Sequence, residues 1–266
     1  GAGEIVKGTL IINQGKIVAV GDASIPVPDG AQTIDCAGKT ITPGLVDTHT
    51  HIGGVGGGDG SSTLNPDARV LDSVNPFDSG FKRALAGGIT TINSMPASGH
   101  RISGQTVDVK NRGGSRVEDL FIPDAQGQPA GGLKMANGTN SMRPTPFTQT
   151  RGKHAAVVRD LFIKAQEYRD KWARYDEKAK ADPAKAGDPP DRSIGLELLG
   201  RILAGQKIVQ HHTHRADDII TVLRIAREFK FRVVLHHTSE AWKVASEIAA
   251  ADTGWGPKGI KGTPVS

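Results

Sequence analysis

Seven of the nine histidines lie in three short clusters, and imidazole is a preferred ligand of borderline metal ions such as zinc. The clusters are His49-Thr50-His51, His211-His212-Thr213-His214 and His236-His237. Each follows an apolar segment typical of a β-strand. Because side chains alternate along a strand, His49 and His51 would share one face. Imidazoles from three strand ends predict a catalytic metal site, although satisfied core or surface histidines remain the alternative for each cluster.

The elements that would position these histidines alternate between strands and helices. Leu45 and Val46 follow a Pro43-Gly44 turn and begin a strand that ends at the first cluster. The apolar patterns predict further strands at 89–92, 104–110, 132–136, 207–210 and 232–235. They predict helices at 78–85, 155–181, 194–203, 217–229 and 240–250. This alternation favours a parallel α/β sheet.

The number of strands bears on the completeness of such a sheet. Six are predicted, and a seventh could begin at 263–266. A closed (β/α)8 barrel needs eight. The chain is therefore expected to be a fragment, or one of two pieces, of a longer enzyme. Before these strands, residues 9–20 predict a hairpin with a turn that contains glycine.

A longer motif around the first cluster carries a family resemblance. Residues 38–51 read GKTITPGLVDTHTH and resemble the first-strand signature of the amidohydrolase superfamily, which includes imidazolonepropionase, dihydroorotase and the Xaa-Pro dipeptidases. Residues 86–92, 132–138 and 214–218 resemble the imidazolonepropionase-related branch. The resemblance implies an α/β, TIM-type barrel over 43–266, incomplete in this chain, and a small β subdomain over 1–42.

The resemblance also implies a set of metal ligands. The family pattern has His-Ala-His after strand five and Glu-His-Gly after strand six, so His212 and His237 resemble ligands, whereas His211 and His236 are expected to point away. Lys134 resembles the lysine that is carboxylated and bridges two metals, with Lys110 as the fallback. The implied site holds one or two divalent ions, zinc first, on His49, His51, Lys134, His212 and His237.

Further roles are assigned around this centre. His214 is expected to be the catalytic residue, either facing the substrate or supporting a metal ligand, and Asp47 is interpreted as support for the first cluster. Arg143, Arg151 and Arg215 could clamp a substrate carboxylate, although rim arginines are commonly only solvated. The family's strand-eight aspartate, which accepts the proton of the attacking water, has no candidate here.

The composition of the chain excludes several classes of site and function. One cysteine among 266 residues excludes an internal disulfide and a cysteine-based zinc cluster. The net charge of +5 is scattered and aromatic residues make up 5%, so nucleic-acid binding is not expected. No apolar run is long enough for a membrane span. Localisation stays open between the cytoplasm and export after removal of a leader, because the chain begins at Gly1.

Two functions are considered. The first, which the resemblance implies, is a metal-dependent hydrolase that cleaves a C–N bond of a small amide or cyclic amide, including an Xaa-Pro dipeptide, by a metal-activated hydroxide. The second is a non-catalytic, truncated barrel that acts as a binding or assembly module. Both interpretations predict a homo-oligomer or a second chain that completes the barrel, because an open barrel exposes strand edges.

Overall fold

The computed structural model describes residues 3–145 and 147–251, which form a mixed α/β fold. The strands are β1 (Thr9–Asn13), β2 (Lys16–Gly21), β3 (Leu45–Thr50), β4 (Ile89–Ser94), β5 (Ile102–Gln105), β6 (Val107–Lys110), β7 (Gly132–Ala136), β8 (Ile208–Thr213) and β9 (Val233–His237). The α-helices are α1 (Ser79–Ala86), α2 (Arg151–Ala181), α3 (Ile194–Leu203), α4 (Ala216–Phe229) and α5 (Ala245–Ala250). The strand proposed at 263–266 lies outside the described residues.

The chain divides into two compact units, with the boundary between Pro43 and Gly44. In the first unit, β1 and β2 pair as an antiparallel hairpin, which confirms the predicted hairpin. Gln14 and Gly15 connect them with φ angles of 48° and 72°. Two positive φ angles are what a tight two-residue hairpin turn requires, and glycine adopts them without steric cost.

A three-stranded sheet in the second unit carries the first histidine cluster. Strand β3 is parallel to β4, and β6 is antiparallel to β4. Helix α1 packs on this sheet through Phe81, which shares a buried cluster with Ile92 and Val109. The alternation of β3, α1 and β4 is the βαβ arrangement that the sequence predicts.

The single strand predicted at 104–110 is wrong, because the segment forms two strands in different sheets. Strand β5 pairs with β7, whereas β6 pairs with β4. Thr106 separates them and is bound to Gly132, whose N–H donates to Thr106 Oγ1 at 2.8 Å. Gly104 has a φ of 134°, and a Cβ there would lie 2.9 Å from the carbonyl oxygen of Ala68. A pattern of alternating side chains does not reveal this change of partner.

The four-stranded sheet has the order β5-β7-β8-β9, in which β7, β8 and β9 are parallel. One face packs against helices α2, α3 and α4 through Leu133, Val209 and Leu235, all fully buried. By alternation the opposite face carries the polar residues of the same strands. These are Lys134, Gln210, His212 and His236, all of them buried.

Within the described residues, no strand pairing joins the three- and four-stranded sheets into a closed sheet. The eight-stranded barrel therefore remains a prediction. The helix predicted at 240–250 is a 3-10 turn, Ala241–Val244, followed by the short helix α5. Among the residues that the structure describes, no helix has the length and apolarity to cross a membrane.

The core between the four-stranded sheet and the helices allows a prediction about the free energy of unfolding. Phe162 of α2 is fully buried, and its ring centroid lies 4.9 Å from Phe231 and 5.3 Å from Phe229. Phe162→Ala is expected to lower the free energy of unfolding by roughly 3 to 5 kcal/mol, because it removes apolar contacts and leaves a cavity. The neighbouring Ile163→Ala, at a position 46% exposed, is the matched control for denaturant titration. Equal losses in the two variants would contradict this packing.

Candidate active site

Six histidines from the three sequence clusters meet on the polar face of the two sheets, around the buried Lys134. We call His49, His51, His212, His214, His236 and His237 the histidine cluster. Ring centroids are 4.7 Å apart for His49 and His237 and 4.5 Å apart for His212 and His237. His49 and His51 are 5.4 Å apart. Residues separated by almost 190 positions thus form one group.

The first pair is held by its own strand and by the next. The backbone N–H of His49 donates to Asp47 Oδ1 at 3.1 Å, which agrees with the supporting role predicted for Asp47. His51 follows the end of β3, and its Nδ1 lies 2.7 Å from the carbonyl oxygen of Met95. A carbonyl only accepts, so Nδ1 carries the proton and Nε2 keeps a lone pair. That tautomer is the one a metal ligand needs.

His212 lies inside β8, which continues to Thr213, rather than after a strand that ends at Gln210 as predicted. It is 4% exposed, and neither ring nitrogen has a hydrogen-bond partner among the described residues. His211 points to the helix-facing side, as expected, and its Nδ1 lies 2.9 Å from the His212 carbonyl oxygen. Adjacent histidines in one strand therefore serve opposite faces of the sheet.

The expectation that His236 points away is wrong. It is fully buried, its ring centroid is 4.7 Å from that of His49, and its Nε2 lies 2.6 Å from Gln210 Oε1. Because Leu235 is buried in the helix-facing core, alternation turns His236 to the other face. The next residue, His237, has a φ of 70°, and this left-handed turn accounts for its ring also lying beside His49 and His212.

Lys134 has no exposed surface, and its Nζ lies 3.2 Å from His49 Nε2 and 3.3 Å from Met95 Sδ. Burial lowers the pKa of Lys134 to about 7, so a large fraction of the amine is neutral near pH 7. Burial, followed by the charge of Lys134, lowers the pKa of His49 to about 2. Burial is also the main cause that lowers the pKa of His212 and His236 to about 3. Near neutral pH these imidazoles are uncharged, the form that binds metal ions.

The donor set fits a divalent metal, although the side chains do not already surround an ion position. Among the described residues, no three His, Cys or carboxylate side chains converge closely enough to hold one as they stand. However, His49 Nδ1 and both ring nitrogens of His212 are buried without a hydrogen-bond partner in the part of the chain that the structure describes. An unsatisfied buried polar atom costs about 1 to 3 kcal/mol, and a bound cation would remove this cost. His51 adds a lone pair on Nε2.

The remaining predicted residues are distributed differently. His214 is exposed at the edge of the cluster, with its ring 4.6 Å from that of His212 and its Nδ1 2.8 Å from Ser239 Oγ. Lys110 is exposed, and its Nζ donates to Thr91 Oγ1, so it does not share the position of Lys134.

The three arginines proposed as substrate clamps have other contacts. Arg215 pairs with Asp217, and the Arg143 guanidinium lies 5.4 Å from the Phe147 ring. Arg151 binds Asp218 and lines a cavity of about 260 Å³ on the helix-facing side, together with His211. The structure therefore does not bring Arg151 to the histidine cluster.

Sequence reasoning missed two residues that complete the surroundings of the cluster, Met95 and Gln210. Gln210 lies two residues before His212 in β8, so both side chains are on the same face of the sheet, and Gln210 is paired in register with Lys134 of β7. Applying strand alternation to the whole of 208–213 would have identified Gln210. Met95 lies just beyond β4 and has no comparable sequence signal.

Comparisons with known proteins place this geometry in a family. No protein-family model matches the chain. It is 27% identical to an amidohydrolase, tasK, of Hapsidospora irregularis over 88% of this chain and 26% of the relative. It is 48% identical to an imidazolonepropionase of Acidiphilium cryptum over 23% of this chain and 15% of the relative. The crystal structure of an amidohydrolase from Thermotoga maritima superposes with a TM-score of 0.77 at 35% identity, over 90% of this chain and 62% of that one.

The chain is similar to members of the amidohydrolase superfamily over most of its length. The resemblance predicted from residues 38–51 is thereby confirmed, including the relation to imidazolonepropionase. The chain spans about a quarter of the length of tasK and under two thirds of the Thermotoga chain. Its alternating β3-α1-β4 and β8-α4-β9 segments carry the histidine cluster on the polar face of the sheets.

The buried amine predicts a pH-dependent effect on stability. Lys134→Met is expected to stabilise the metal-free protein, because it replaces a buried amine by an apolar side chain of similar length. The gain should be largest below pH 7. Between pH 7 and pH 10.5 the lysine is protonated in the unfolded chain but not in the folded one, so the wild-type protein becomes more stable as the pH rises and the gain of the variant vanishes. Each pKa unit corresponds to about 1.4 kcal/mol, so the difference should change by about 5 kcal/mol between pH 7 and pH 10.5. Urea titrations with chelator and without carbon dioxide would measure it, and a pH-independent difference would contradict it.

Proposed function

We propose that this chain is part of a divalent-metal-dependent hydrolase that cleaves the C–N bond of a small amide or cyclic amide, with Xaa-Pro dipeptides among its candidate substrates. The observation that carries the proposal is the meeting of His49, His212 and His237 around the buried Lys134. The relatives named imidazolonepropionase and amidohydrolase support the same reaction class. Imidazole ligands on several parallel strands are typical of catalytic metal sites that keep one position for water.

In this proposal the metal is held by His49, His51, His212, His237 and Lys134. Zinc is the first candidate, as one or two ions. A divalent ion bound there would lower the pKa of a water molecule and supply hydroxide near neutral pH. The neutral imidazoles offer lone pairs, and burial of His212 excludes competing solvent from its ring.

Lys134 would contribute as a carbamate. Its low pKa leaves a nucleophilic neutral amine that adds to carbon dioxide and releases a proton, which gives an anionic oxygen ligand. The carbamate would also prevent the buried cation that forms when the amine is protonated, and a bound metal can neutralise the carbamate charge. His214, hydrogen-bonded to Ser239 at the edge of the cluster, is placed to orient the substrate or to pass a proton to the leaving nitrogen.

We further propose that a second copy or another chain completes the barrel. Leu45 and Val46 of β3 are 60% and 62% exposed, although they begin a strand that leads into the site. Strand β3 also ends the order of its sheet. A partner strand there would cover apolar surface and an open edge.

Elemental analysis of protein purified without chelators, combined with a hydrolysis panel, tests the proposal. We expect about one to two divalent ions per chain and metal-dependent cleavage of at least one class among cyclic amides, simple amides and Xaa-Pro dipeptides. Failure to retain any divalent metal would refute the proposal. Metal binding without hydrolysis of any class would instead favour the non-catalytic binding module.

A further inference from the structure

The two histidines outside the three clusters, His100 and His154, flank a buried arginine that the proposed reaction does not use. Arg101 is 1% exposed, and its Nε donates to Thr148 Oγ1 at 2.8 Å. Its Nη2 is buried without a hydrogen-bond partner among the described residues. No described carboxylate forms an ion pair with it, and burial alone lowers its pKa. A guanidinium keeps its charge in proteins, so this is a buried cation without a compensating anion.

His154 lies close to the same position. It is 5% exposed, its Nε2 has no partner among the described residues, and its Nδ1 is 3.5 Å from Ser141 Oγ. Burial, followed by the charge of Arg101, lowers the pKa of His154 to about 4. Ser141 Oγ also donates to the carbonyl oxygen of Ala136, whose N–H donates to the carbonyl oxygen of Arg101, so the two residues are near neighbours. Both have buried nitrogen atoms without an acceptor among the described residues.

The amino-terminal end of α2 adds further positive potential. Thr150 caps this helix of 31 residues by accepting from Lys153 N, and His154 lies in the first turn. Thr148, which holds Arg101, precedes the cap by two residues. A helix terminus of this length carries about half a positive charge. Asp218 also contacts the first turn, but it is bound to Arg151 at 2.9 Å.

We propose that Arg101, His154 and the first turn of α2 form a binding site for a small monovalent anion such as chloride or formate. His154 lies on the helix-facing side of the sheet, whereas the histidine cluster lies on the polar face. A cavity of about 260 Å³, lined by Gly152 and His154, lies beside the first turn of α2. A small anion would accept from Arg101 Nη2 and remove the cost of the buried charge.

Thermal unfolding at constant ionic strength, in mixtures of gluconate with chloride or formate, tests the site. The wild-type protein should gain roughly 5 °C or more in Tm when the small anion reaches 100 times its Kd. Arg101→Met should abolish this gain, and Arg101→Lys should keep part of it. Arg174→Met, which removes an exposed arginine of α2, is the matched control and should keep all of it.

The relative stabilities of the wild-type protein and Arg101→Met distinguish an anion site from an arginine that has only a structural role. With an anion site, Arg101→Met is more stable than wild type in gluconate and loses that advantage as chloride rises. An advantage that is the same at every chloride concentration, or no difference between gluconate and chloride for wild type, would overturn the proposal. If Arg101→Met does not fold, chloride-35 NMR on the wild-type protein decides. Line broadening that formate displaces and that His154→Gln weakens supports the site, and its absence overturns it.

Discussion

His212→Asn is expected to abolish metal retention and to lower kcat/KM of the assembled enzyme by more than about 100-fold, because even loss of a residue that only supports a ligand typically costs 10- to 100-fold. Both ring nitrogens of His212 are buried without a hydrogen-bond partner among the described residues, so hydrogen bonding within this part of the chain does not explain an imidazole at this position. Asparagine keeps a polar side chain but offers no imidazole lone pair. Metal content by elemental analysis and hydrolysis rates would be measured on the same preparations.

The neighbour of this residue provides the matched control. His211 is equally buried in β8, but it faces the helices and lines the cavity beside His154. His211→Asn should lower stability and leave the metal content per folded chain unchanged. If both variants lose metal to the same extent, the loss follows from damage to β8 and not from a ligand role. If neither loses metal, the assignment of His212 is wrong.

Acid is expected to unfold the metal-free chain near pH 5, well above the range in which carboxylates titrate. Burial lowers the pKa of five imidazoles to between about 2 and about 4. They are His49, His154, His211, His212 and His236. In the unfolded chain each titrates near 6.5, so between these values the unfolded state binds more protons. Stability is therefore fully present above pH 6.5 and falls as the pH decreases.

The size of this effect follows from the number of groups. Each buried histidine lowers the free energy of unfolding by about 1.4 kcal/mol for every pH unit below 6.5. The five histidines together therefore lower it by on the order of 7 kcal/mol per pH unit. This is comparable with the total stability of about 5 to 15 kcal/mol of an ordinary domain. Circular dichroism between pH 4 and 8 with chelator would follow the transition. His211→Asn should make it less steep, whereas His214→Asn, at an exposed position, should not change it.

Retention of the native spectrum at pH 4 would contradict the burial of these histidines. Added zinc offers a second check, because a metal that binds only the folded, deprotonated site should move the acid transition to lower pH. The His212→Asn variant should show no such shift.

Local sequence patterns were sufficient for much of the architecture. The Gln14-Gly15 turn predicted the hairpin, because few residues adopt two positive φ angles in succession. Hydrophobic periodicity predicted strand β4 and helices α2 and α3, because each of these elements buries one of its faces. The motif at 38–51 predicted the family. Adjacent positions in sequence carry this information, so no tertiary contact was needed.

The tertiary structure decided which residues face the site and which partners they have. The sequence predicted histidines at the ends of three strands, and the family resemblance added Lys134 to them. Whether His236 faces inward depended on Leu235 entering the helix-facing core, and the reach of His237 depended on a left-handed backbone angle. Arg151 was assigned to the rim, but Asp218, 67 residues away, holds it elsewhere. Strand faces, strand partners and buried charges arise from contacts between distant segments, and these do not follow from the spacing of neighbouring residues.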